Sequence, residues 1–181
     1  MIQQDEMRGG VKLSELVKHL GLAVVNKGKD FENALVGIRD VNRPGLQLVG
    51  FFDYFDERRL QVIGMAETKM LESMTTEQRT ESFSRLFEYD IPALVVSRDL
   101  DIYPECLTMA RKHQRTLLHT ADTTVVFTTR VIEYLSLRLA PTITRHGVLL
   151  DIYGEGVMII GDSGIGKSET AIELIKSGLG E

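Results

Sequence analysis

Eight consecutive residues, Gly161-Asp162-Ser163-Gly164-Ile165-Gly166-Lys167-Ser168, fit the pattern G-x-x-x-x-G-K-[ST] at every position. They follow the apolar run Val157-Met158-Ile159-Ile160. They precede Ala171, Leu174 and Ile175, whose spacing marks the inner face of a helix that Gly178 is placed to end. A strand that enters a glycine loop and leaves as a helix constrains the backbone tightly. The loop amides and the positive end of the helix then face one point, and an anion is what that point holds. The glycines let the backbone approach phosphate in torsions that a side chain forbids. Lys167 brings a point charge to the terminal phosphates, and the Ser168 hydroxyl is suited to ligate Mg²⁺. The ligand expected from these residues is a nucleotide or polyphosphate together with Mg²⁺.

The remaining composition narrows the function classes. Lys and Arg number 21 against 26 Asp and Glu, a net charge of −5, so bulk electrostatics gives no case for a nucleic-acid partner. One cysteine, Cys106, excludes an internal disulfide framework and suits a reducing compartment. The opening Met1-Ile-Gln-Gln-Asp-Glu-Met-Arg is unlike a signal peptide. No apolar run reaches the roughly 18–20 residues of a membrane span. The expectation is a soluble cytoplasmic protein with no membrane partner.

Along the chain, helix-like and strand-like segments alternate. Leu13, Leu16, Val17 and Leu20 share one face of a short helix that Gly21 is suited to end. Ala23-Val24-Val25, Leu35-Val36-Gly37-Ile38 and Val62-Ile63-Gly64 read as strands, and a helical stretch follows over about 66–74. Thr75 with Gln78 forms a capping box before a helix whose apolar face holds Phe83, Leu86 and Phe87. A strand over 93–96 precedes a helix opened by Pro104. A long helix over about 122–140 sets Phe127, Val131, Leu135 and Leu139 at four-residue spacing and stops before Pro141. The fold class expected is α/β: a small, mostly parallel α/β amino-terminal domain over residues 1–130. Residues 131–181 then supply a linker helix and the start of a second domain that carries the P-loop. In that start, Val148 to Tyr153 and Val157 to Ile160 read as two strands joined by a turn at Gly154-Glu155-Gly156.

Arg145-His146-Gly147-Val148-Leu149-Leu150-Asp151-Ile152-Tyr153-Gly154, followed by Gly161 to Thr170, resembles the start of the catalytic domain of the HPr kinase/phosphorylase family. Asn42-Arg43-Pro44-Gly45-Leu46 and Gly50-Phe51-Phe52-Asp53-Tyr54-Phe55 resemble that family's amino-terminal domain. The resemblance implies a bacterial enzyme that phosphorylates a serine of HPr, the phosphocarrier protein of sugar uptake, using ATP or pyrophosphate. It also implies removal of that phosphate by attack of inorganic phosphate, control of carbon catabolite repression, and assembly as a homo-hexamer. Carried onto this sequence, it makes His146 and Lys167 catalytic, Gly161 to Ser168 the nucleotide site and Ser168 a metal ligand. The family's catalytic aspartate and Mg²⁺-binding glutamate lie beyond position 181, so the expectation is part of a longer chain, catalytically silent alone.

Plainer readings stand beside these. A histidine in a strand-like segment, such as His146, is often structural, and His19, His113 and His119 lack ligand-like spacing. Cys106 reads as a buried small side chain, and Phe51, Phe52, Tyr54 and Phe55 read as core or interdomain packing, with a partner surface as the lesser alternative. Glu169 follows the loop serine and is placed to act in the site, although an acidic residue is expected in any first helical turn, and Asp162 is suited to fix a turn. From the residues alone, a P-loop enzyme acting on a small molecule and a non-catalytic phosphate-sensing domain remain open alternatives.

Overall fold

The computed structural model describes residues 9–141 and 144–178. The chain divides into two compact units, the first Glu6–Ala140 and the second built on the residues from Pro141 onward. In chain order the first unit holds β1 (Val11–Lys12), α1 (Leu13–Leu20), β2 (Ala23–Asn26), β3 (Leu35–Val36), β4 (Val41–Asn42), α2 (Gly45–Leu48) and β5 (Leu60–Ile63). It continues with α3 (Met65–Glu72), α4 (Thr76–Glu88), β6 (Leu94–Val96), α5 (Pro104–Lys112), β7 (Leu117–His119) and α6 (Thr124–Arg138). The second holds β8 (Gly147–Ile152), β9 (Glu155–Ile160) and α7 (Lys167–Lys176).

The centre of the first unit is a five-stranded sheet of order β2-β7-β6-β5-β4. Strands β4 to β7 run parallel and β2 joins the edge antiparallel to β7, so the mostly parallel α/β expectation holds. Register explains the three layers. Val62, Val95 and Leu118 lie in one row across β5, β6 and β7 and pack with Leu16 and Leu20 of α1 and Phe127, Val131 and Leu135 of α6. The neighbouring positions Ile63, Val96, Leu94 and Leu117 point to the opposite face, against Leu71, Phe83, Leu86, Phe87 and Met109 of α3 to α5. Each fully buried Leu or Phe in these rows contributes on the order of 1.5–3 kcal/mol over an exposed one. Gln61 falls in the second row with no exposure; its amide is satisfied by Asn42 Nδ2 at 2.6 Å and by the Arg59 carbonyl at 2.8 Å.

Local signals set the helix ends. Gly21 closes α1 at φ 68°, in the left-handed region that suits glycine. Thr75 Oγ1 accepts from the Gln78 amide while Gln78 Oε1 accepts from the Thr75 amide, the reciprocal box expected. Pro104 opens α5, and Thr123 caps α6 by accepting from Val126. Three details differ from the sequence expectation. The strand at 35–38 is confined to Leu35–Val36, pairing with β1. The elements β1, β4, α2 and β7 fall where the sequence singled out no element. The aromatic group splits: Phe52 and Phe55 pack on Tyr89, whereas Phe51 and Tyr54 are exposed. Among the described residues no helix is long and apolar enough to cross a membrane.

Candidate phosphate-binding site

In the second unit β8 and β9 pair antiparallel from Ile152↔Glu155 to Gly147↔Ile160. The turn is the two-residue Tyr153-Gly154, with φ 55° and 87°, rather than Gly154 to Gly156. Positive φ at both central residues is the type I′ pattern, whose twist matches that of paired strands. Asp151 Oδ1 accepts the Gly154 amide at 2.7 Å and fixes it. At the far end Gly147 is demanded by contact, because a Cβ there would lie 2.6 Å from the Ile159 carbonyl oxygen. The ladder ends at Gly147↔Ile160, so His146 and Gly161 are the next residues on adjacent strands. That register brings the His146 backbone beside the start of the loop, and its side chain is exposed.

From Gly161 the chain turns tightly, with the Ile165 amide on the Asp162 carbonyl at 3.4 Å. Gly164 and Gly166 adopt φ 81° and 94°, and Gly166 is the N-cap of α7. Lys167 then reaches back across the loop and donates from Nζ to the carbonyls of Gly161 at 2.8 Å and Asp162 at 2.7 Å. Thr170 donates through both its amide and its hydroxyl to the Gly166 carbonyl. The first amides of α7 have no partner within the helix, as at any helix start. Ser168 is the second residue of that turn; it is exposed, and among the described residues its hydroxyl makes no hydrogen bond. Asp162, Ser163, Gly164 and Ile165 are exposed along the loop. Glu169 is also exposed, and its Oε2 lies 3.8 Å from where a Cβ on Gly166 would sit. The structure thus brings Gly161, Asp162 and Lys167 into direct contact, with Ser168 and Glu169 on the adjoining turn.

The first unit offers a different chemistry. A groove of about 440 Å³ is lined by Thr76, Arg79, Tyr103, Glu105 and Thr108, among others. Arg79 donates to Glu105 Oε1 from Nε and Nη2, to Leu71 and Met74 carbonyls from Nη1, and to Thr76 Oγ1. All five guanidinium donors are used, so this arginine has nothing left for a phosphate. The Arg79 bond holds the Glu105 carboxyl below the ordinary glutamate range. Elsewhere burial opposes ionisation of Glu67, but Arg43 at 2.8 Å and the Gly64 amide outweigh it and its pKa is lowered. Cys106 is buried in α5, and burial pushes its thiol far up. No group of three or more metal-ligating side chains occurs among the described residues.

An α/β unit followed by a strand, a glycine loop and a lysine-led helix defines a two-part protein carrying a P-loop sequence motif. The family description HPr Serine kinase N terminus matches residues 11–135, and HPr Serine kinase C-terminal domain matches 137–180. The chain belongs to the HPr serine kinase family. It is 48% identical over 168 residues to the HPr kinase/phosphorylase of Alkaliphilus metalliredigens, covering 93% of this chain and 54% of that one. It is 46% identical to those of Clostridium perfringens (strain SM101 / Type A) and Caldanaerobacter subterraneus subsp. tengcongensis, over 93% of this chain and 54% and 55% of theirs. The chain therefore spans about half the length of the curated relatives it matches. A solved structure of the CBS and DRTGG domains of a Clostridium perfringens pyrophosphatase aligns at 14% identity and TM-score 0.48, covering 86% of this chain and 71% of that one.

Proposed function

We propose that the protein to which this chain belongs is a bifunctional protein-serine kinase/phosphorylase acting on HPr. In the forward direction the serine hydroxyl of HPr attacks the terminal phosphorus of ATP or pyrophosphate. The bond to the bridging oxygen breaks, ADP or inorganic phosphate leaves, and the hydroxyl proton passes to a base. In the reverse direction an oxygen of inorganic phosphate attacks the phosphoserine phosphorus. The bond to the serine oxygen breaks, that oxygen recovers a proton, and pyrophosphate leaves. Both directions ask the loop to hold two linked phosphoryl groups in line with a serine oxygen, a task of positioning and charge stabilisation.

The observation that carries this reading is the Gly161–Ser168 loop, bridged by Lys167, within the segment matched by HPr Serine kinase C-terminal domain. The amides of Ser163 to Lys167 and the start of α7 cradle the phosphates, and Lys167 moves its ammonium from two carbonyls to phosphate oxygens. The Ser168 hydroxyl, exposed and without a protein partner among the described residues, fits a Mg²⁺ ligand. Mg²⁺, when bound, supplies charge neutralisation between the terminal phosphates. His146 acts at the reacting phosphate, a role supported by its position one residue beyond the Gly147↔Ile160 pair. The wider role is control of carbon catabolite repression by a cytoplasmic homo-hexamer. Incubating the whole protein with ATP, Mg²⁺ and HPr tests the reading: phosphoserine appears on HPr. ATP turnover unaffected by HPr, with HPr unmodified, contradicts it.

A further inference from the structure

We propose that Glu169 makes polyphosphate binding at this loop conditional on a divalent cation. The proposal deepens the reading of Gly161 to Ser168 as a polyphosphate site and rests on it. Between Gly161 and Thr170 the only cationic side chain is Lys167, set against Asp162 and Glu169. A loop that binds a polyanion thus carries one more negative side chain than positive.

Glu169 is the third residue of α7, where a glutamate ordinarily turns back to cap the N-cap amide. Glu67 does this at the same position of α3, accepting the Gly64 amide at 2.9 Å. Glu169 makes no such bond; α7 has no side-chain cap, and among the described residues neither carboxylate oxygen of Glu169 has a hydrogen-bond partner. Nor does Lys167 neutralise it, since that ammonium lies on the Gly161 and Asp162 carbonyls. The carboxylate still lies at the helix start, its Oε2 3.8 Å from where a Gly166 Cβ would be, much as Glu67 Oε2 lies 3.6 Å from that of Gly64, but with no amide bonded to it. A phosphate drawn to the start of α7 meets this charge at short range.

Two like charges roughly 6 Å apart in a half-solvated site repel enough to cost about tenfold in affinity. A divalent cation reverses the sign of the effect, because a carboxylate that repels bare phosphate attracts the cation bound to it. Glu169 therefore penalises bare polyphosphate and spares the cation-loaded form. Its contribution is selection, which leaves the fold and the loop's own shape untouched.

Calorimetric titration of the whole protein with pyrophosphate, once in EDTA and once with Mg²⁺, reads this directly. In Glu169→Gln, which keeps side-chain size and helix position, the metal-free affinity rises about tenfold and the Mg²⁺ affinity does not rise. The ratio of the two dissociation constants accordingly falls about tenfold, whereas Glu169→Asp keeps the wild-type ratio to within about threefold. A Glu169→Gln ratio within about twofold of wild type, or an equal change in Glu169→Asp, overturns the proposal while leaving the polyphosphate site standing. Wild-type protein that binds pyrophosphate in neither buffer overturns the site itself, and the proposal with it.

Discussion

Lys167 spends two ammonium donors on carbonyls from the opposite end of its own loop, which ties the lysine back to the start of that loop. Its substitution touches no core. Lys167→Ala is expected to lower transfer in both directions by roughly 100-fold or more, with an unchanged circular dichroism spectrum. Arg79 and Glu105 present the contrary case, a charged pair largely withdrawn from water, with Glu105 Oε2 lacking a partner among the described residues. Glu105→Ala strands the guanidinium charge and should cost about 3 kcal/mol in urea denaturation. The same carboxyl gives a pH dependence. Its folded pKa lies below the unfolded value near 4.3, so its contribution is complete above that value and disappears as pH falls through the folded one. Stability should therefore decline below about pH 4, and less steeply in Glu105→Gln. The lysine was legible in the sequence from its motif, while the arginine–glutamate pair was not. The pair joins residues 26 apart in the chain through the packing of two helices.

At the scale of elements, the helices of eight residues or more announced themselves, as did the buried strands β5 and β6, whereas β4, β7 and the four-residue α2 did not. The faces of α1, α4 and α6 repeat with the helical period because each buries one stripe. The capping box of α4 is likewise written in Thr75 and Gln78, and Thr75→Ala should cost about 1 kcal/mol, read from the shift in denaturation midpoint. Strand β7 is three residues long, with Leu117 and Leu118 facing opposite layers, so it has neither alternation nor length to mark it. Strand β4 is two residues, placed by pairing with β5 rather than by its own composition. The hairpin of β8 and β9 was legible, but its turn was misplaced by the glycines at 154 and 156. Tyr153 adopts positive φ, a conformation that sequence does not advertise for a bulky residue. What the sequence could not convey about the site was similarly spatial: the return of Lys167 onto Gly161 and the approach of Glu169 to Gly166.

For the molecule as a whole, the two units differ in what they bury. The first has a continuous core on both faces of its sheet, whereas in the second Leu150 and Ala171 are buried and Leu149, Ile160, Ile172 and Ile175 are exposed. The Gly161–Ser168 loop sits on the second unit, and the chain spans about half the length of the curated relatives it matches. The chemistry proposed therefore belongs to the whole protein, with Gly161 to Ser168 as the cradle for two linked phosphoryl groups. Phosphorolysis tests that claim most directly, because hydrolysis and phosphorolysis leave the label on different products. HPr carrying ³²P on its serine is incubated with the whole protein, Mg²⁺ and unlabelled inorganic phosphate, and the products are separated. The account predicts labelled pyrophosphate, formed in proportion to added phosphate and lost in Lys167→Ala. Label released as inorganic phosphate at a rate indifferent to added phosphate, or retained pyrophosphate formation in Lys167→Ala, would contradict it.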